Sequence, residues 1–84
     1  MARKAKVIKF EEPIIVGGKE IKEVSMRVPK GKDLKAVSHI VDTHERDMTM
    51  VSNLCDLNAT MNDFDEMDGK ELQQLKKELI VFLT

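Results

Sequence analysis

The sequence has no tryptophan and no tyrosine, one cysteine, two prolines and four glycines. With Cys55 alone, no internal disulfide can supplement the core, and this usage fits a reducing compartment. Without Trp or Tyr, stacking on nucleic-acid bases would fall to Phe10, Phe64 and Phe82, three positions better suited to burial. No apolar run approaches the ~18 residues of a membrane span. The basic opening from Met1 to Phe10 leads into no apolar stretch of signal-peptide type, so a cytoplasmic protein is expected.

What is present is 84 residues of strongly mixed charge. A domain of this size buries only roughly 60–65% of its unfolded surface, which leaves a thin stability margin. The net charge of −1 conceals an asymmetry: residues 1–35 carry +5 and residues 36–84 carry −6. Such a layout suits head-to-tail contact or a partner of mixed charge. It also suits two solvated faces that salt screens from each other.

Residues 1–5 read as a disordered basic tail, and residues 6–84 as one domain. Within it, 6–29 form a β-hairpin and 33–83 are helical, which gives an α+β fold: an antiparallel hairpin followed by a bundle of three to four short helices. Ile8, Phe10, Ile14 and Val16 alternate with period two, interrupted at Glu12. Pro13 has no N–H for a ladder and marks an edge or a bulge. Gly17-Gly18 supplies the turn, because both positions of a tight hairpin turn need positive φ. Val24, Met26 and Val28 line the return strand, which Pro29 ends. A two-residue turn pairs Ile14 with Ile21, yet unbroken pairing would waste the Val24–Val28 row. One extra residue near Lys22–Glu23 is therefore expected, setting Phe10 opposite Met26 and Ile8 opposite Val28.

Leu34, Val37, Ile40, Val41 and His44 recur at helical steps and predict a helix over 33–43. Met48, Val51, Leu54, Cys55 and Leu57 predict another over about 46–57, with a break at Asn58. Thr60 caps a short turn bearing Met61 and Phe64. Asp68 starts the last helix, with Glu71 placed for a capping box, and Leu72, Leu75, Leu79, Phe82 and Leu83 form its stripe.

The sites of familiar chemistry fail on spacing. His39 and His44 lie about 140° apart on a helix and Cys55 has no second thiol nearby in sequence, so no metal site is expected. With Gly69 at the sixth position of a calcium loop, Phe64 and Leu75 would fall at the first and twelfth, where carboxylates are needed. Gly17-Gly18 is followed by no GK[ST], which removes a phosphate loop. No titratable pair is placed for acid–base or nucleophilic work, so neither an enzyme nor a cofactor is expected.

Two features favour binding. Met50, Met61 and Met67, with Phe64, offer adaptable apolar contact, whereas Met26 and Met48 read as core filling. At the other end, Ile80, Val81, Phe82 and Leu83 surround the last helix instead of lining one stripe, and such a surface marks an interface. These eight residues are the candidate partner-binding set. The rival reading is a small regulatory or nucleic-acid-binding protein of a phage or other mobile element, with Arg3, Lys4, Lys6 and Lys9 on phosphates.

The order of parts resembles the small tail assembly chaperones of Mu-like and related contractile-tailed bacteriophages. Glu12-Pro13-Ile14-Ile15-Val16 leads to Gly17-Gly18-Lys19, then Ile21 and Val24-Ser25-Met26-Arg27-Val28-Pro29, then Gly31-Lys32-Asp33-Leu34. Leu54-Cys55-Asp56-Leu57, Met61-Asn62-Asp63-Phe64-Asp65 and the apolar last helix complete the likeness, from about Lys6 to Phe82. The resemblance implies a non-enzymatic role in the host cytoplasm, binding and solubilising the tape measure protein and helping to recruit tail-tube subunits. It implies absence from the mature virion, self-association, and a longer frameshifted product that would carry the tube-subunit contacts.

Overall fold

The computed structural model describes residues 4–84. The expected basic tail, residues 1–5, falls for residues 1–3 outside the described part. Two antiparallel strands, β1 (Lys6–Val16) and β2 (Lys19–Met26), precede four helices: α1 (Gly31–Ala36), α2 (Thr43–Leu54), α3 (Met61–Asp65) and α4 (Gly69–Leu83). The architecture is α+β, a hairpin followed by helices, as the sequence predicts.

Gly17 and Gly18 adopt φ of 59° and 81°, the paired positive values of a turn whose twist matches the flanking strands. Val16 pairs with Lys19 and Ile14 with Ile21, as expected. Beyond this point the register differs from the expectation. The ladder resumes with Lys9 opposite Glu23 and Ile8 opposite Val24, so Phe10, Glu11, Glu12 and Pro13 together face Lys22. The irregularity belongs to β1 and not to Lys22–Glu23, and it places Lys6, not Phe10, opposite Met26. Pro13 is the reason: its missing N–H breaks pairing on its own strand, and the interruption takes charged Glu11 and Glu12 into solvent. An odd number of extra residues on either strand sets even-numbered positions of β1 opposite Val24 and Met26, so the apolar pattern showed the need for a bulge while Pro13 was the local sign of its strand.

The inner hairpin face buries Ile8, Val24 and Met26 with Met48, Val51, Leu54, Phe64, Leu75 and Leu79. α4 packs on β1 and α2, while α2 also meets α1, α3 and β2. Backbone bonding ties these parts together: Arg27 N donates to the Leu54 carbonyl at 3.1 Å, joining the exit of β2 to the end of α2.

The first two helices begin and end elsewhere than periodicity predicts. α1 stops at Ala36, and turns carry the chain to Asp42. Asp42 then accepts the Glu45 N–H at 2.8 Å and starts α2 earlier than expected. Arg46 Nε donates to the Ile40 carbonyl at 3.0 Å, satisfying backbone that a continuous helix would have used. Val37 is buried, but Leu34 and Val41 are 49% and 90% exposed, so the predicted stripe is not one face. α2 ends at Leu54, and Asp56 and Asn58 both take φ of 53°, a left-handed conformation that Asp and Asn tolerate better than most residues. Ser52 holds this exit: its Oγ accepts the Ala59 N–H at 2.9 Å.

Thr60 caps α3 as expected, and Asp63 makes the cap reciprocal, which was not expected: Thr60 N donates to Asp63 Oδ2 at 2.9 Å and Asp63 N to Thr60 Oγ1 at 3.2 Å. At α4 the expected box does not form. Asp68 occupies the N-cap without a side-chain bond, and Glu71 turns into the interior instead of back to the cap.

Candidate functional site

The eight candidate residues separate by burial. Met50 and Phe64 are 2% and 1% exposed and belong to the core. Met61, Met67 and Phe82 are half-buried and pack against it. Ile80, Val81 and Leu83 are 47%, 60% and 45% exposed. The apolar end of α4 is therefore shared: Leu79 and Phe82 complete the fold, and Ile80, Val81 and Leu83 present apolar surface to solvent.

Helical spacing explains the division. Glu71, Leu75, Leu79 and Phe82 follow at three- and four-residue steps on the inward face. Lys70, Gln73, Lys77, Ile80 and Val81 recur at similar steps on the opposite side, where with Gln74 and Lys76 they line a shallow groove. That groove contains no acid, although residues 36–84 are net acidic. Of the two glutamates of α4, Glu71 is buried and Glu78 lies 3.8 Å from Lys6. Contacts to β1 fix the helix in this rotation. Gln74 donates to the Lys9 carbonyl at 2.9 Å, and Lys70 pairs with Glu11, which raises the ammonium pKa and lowers that of the carboxyl.

A second, acidic cleft opens beside the irregular part of β1. Pro13, Ile14 and Ile15 form one wall, and Glu66, Met67 and Asp68 the other, with Asp63 and Glu71 also lining it. Asp63 is occupied by the Thr60 cap and by the Gly17 N–H at 3.4 Å; these bonds hold its carboxyl below the usual range. Glu71 is 2% exposed, and its Oε2 is enclosed without a hydrogen-bond partner. Sequence reasoning assigned this residue to capping. Its position four before Leu75 on the apolar stripe was the available sign of burial.

Where β2 hands over to α1, the Asp33 carboxylate accepts two bonds from the Arg27 guanidinium, each 2.7 Å, and the Lys30 N–H at 2.8 Å. The guanidinium chiefly draws the Asp33 pKa down to about 2. This clamp also escaped sequence reasoning, because its partners lie six positions apart, one just past β2 and the other in α1.

Burial pushes the Cys55 thiol up to about 12, the opposite of activation. Among the described residues, no three of His, Cys, Asp or Glu gather as metal ligands, and no helix is long and apolar enough to cross a membrane. Two surfaces stand out: a lysine-edged apolar helix face and an acidic cleft.

No curated protein and no solved structure matches significantly. The model of the family described as phage tail assembly chaperone proteins, E, or 41 or 14, matches residues 7–84. That span takes in β1 from its second residue, β2 and all four helices, and the chain belongs to the phage tail assembly chaperone family.

Proposed function

We propose that the chain binds and solubilises the tape measure protein during tail assembly and helps to recruit tail-tube subunits, acting by contact and without catalysis. The observation that supports this most is the exposed set Ile80, Val81 and Leu83 at the end of α4. A small protein that leaves three neighbouring aliphatic side chains half-exposed at a helix end has a surface suited to another chain. An amphipathic client helix is a fitting occupant, since helix-on-groove contact through aliphatic side chains tolerates varied partner sequence. The half-buried Met67 lends adaptable surface to the acidic cleft, and half-buried Met61 packs against the core. Met50 and Phe64 support the fold beneath.

Within this reading the protein works in the cytoplasm of the bacterial host, associates with copies of itself and leaves before the virion is complete. A frameshifted longer form carries the tube-subunit contact. The test is co-expression with the tape measure protein of the same phage. The client is expected in the soluble fraction, retained on tagged chaperone, only when this chain is present. An equally soluble client without the chain would refute the proposal.

A further inference from the structure

The two surfaces of this one chain are complementary, and the geometry points to a head-to-tail contact between copies. In that contact the lysine-edged outer face of α4 of one copy docks in the acidic cleft of the next. This deepens the self-association included in the proposed function and does not rest on client capture. The cleft presents the carboxylates of Glu66 and Asp68 to solvent, and neither makes an ion pair among the described residues. Beneath them lies Glu71 Oε2, enclosed and without a donor. A buried carboxylate oxygen that meets no donor is costly, and a cation seated in the cleft above it would offset part of that cost through space.

The matching cations are on α4 itself. Lys76 and Lys77 flank Ile80 and Val81, and neither lysine makes an ion pair among the described residues. The apolar parts correspond as well, since Ile15, 59% exposed, and half-buried Met67 stand beside the acids as Ile80 and Val81 stand beside the lysines. A copy cannot satisfy itself. α4 is one helix of 15 residues, roughly 22 Å of rigid rod. Its outer face cannot fold onto the cleft at its own N-terminus. The complement is a second copy, and because face and cleft differ, the contact repeats from copy to copy as a ring or an open array. Neighbour and client then compete for Ile80 and Val81, so self-association covers the apolar end until a client displaces the neighbour.

The experiment is sedimentation velocity on the purified full chain with two charge-reversed variants, K76E/K77E and E66K/D68K. All four positions lie on the two surfaces, and circular dichroism confirms that each variant folds. Wild type is expected to associate with rising concentration, less so at high salt. Each variant alone should associate about a hundredfold more weakly, because like charges now face each other. Mixing the two should restore assemblies of wild-type size, since each face again meets an opposite cleft. Glu71→Gln should weaken association about tenfold. Variants that associate as wild type, or a mixture that stays dispersed, would overturn this contact while leaving self-association standing. A wild type that remains monomeric would overturn both, and client capture is read separately by co-expression.

Discussion

At the residue scale, two carboxylates show how environment decides the part a side chain plays. Asp33 is buried but fully engaged, with the Arg27 guanidinium and the Lys30 N–H as partners. Its pKa falls from 3.8 to about 2, so the stability it contributes is complete above pH 3.8 and is lost as the pH drops towards 2. Asp33→Asn should remove that acid-side step from a stability–pH profile, and Asp33→Ala should cost about 2 kcal/mol in urea unfolding. Glu71 is as buried and lacks a donor at Oε2. Glu71→Met, which keeps the volume and removes the charge, should stabilise the isolated protein by about 1 kcal/mol, or roughly 4–8 °C in thermal denaturation. A lower melting temperature would show that the carboxylate is satisfied in solution. An acid retained at a cost to the free protein fits a residue whose partner arrives later.

At the scale of elements, the hairpin was the most legible part of the chain. Period-two alternation and Gly17-Gly18 are local signals, and the turn they specify depends on nothing distant. Gly18 has open space around its Cα and φ of 81°, so Gly18→Val should cost about 1–2 kcal/mol through backbone strain alone, measurable in urea unfolding. The strand that takes the bulge was misread because the apolar pattern accepts an odd insertion on either strand, and Pro13, whose missing N–H interrupts β1, was the local sign that decided it. The end of α1 was hidden for a related reason. Leu34, Val37, Ile40 and Val41 fit a helical period, but Asp42 and Arg46 together offer the backbone a better arrangement. Asp42 followed three residues later by Glu45 was a capping signal in plain sight, and the apolar period outweighed it. Thr60 was read correctly because a cap acts within its own turn, whereas the helix expected to run to residue 57 and break at Asn58 ends at Leu54.

At the scale of the molecule, the net charges of the two halves concealed the more useful pattern. The acidic half contains the acid-free lysine face of α4, and the irregular part of β1 from the basic half forms one wall of the acidic cleft. Sign therefore alternates across surfaces and not along the sequence, which only the folded arrangement reveals. The same holds for the apolar ending. Its hydrophobicity all round the helix was legible, but the allocation of Leu79 and Phe82 to the core and of Ile80, Val81 and Leu83 to solvent depends on how α4 sits on β1 and α2. The outward residues are where binding and folding can be separated. Val81→Asp at an exposed site should change stability by no more than about 0.5 kcal/mol, whereas Phe82→Asp should damage the fold as well.

The most direct measurement is quantitative capture of the tape measure protein by wild type and by the Ile80→Asp/Val81→Asp double variant, with thermal denaturation of both run in parallel. Capture that collapses while the melting temperature holds would place the client on the outer end of α4. Undiminished capture by an equally stable variant would contradict that and move the contact elsewhere on the protein.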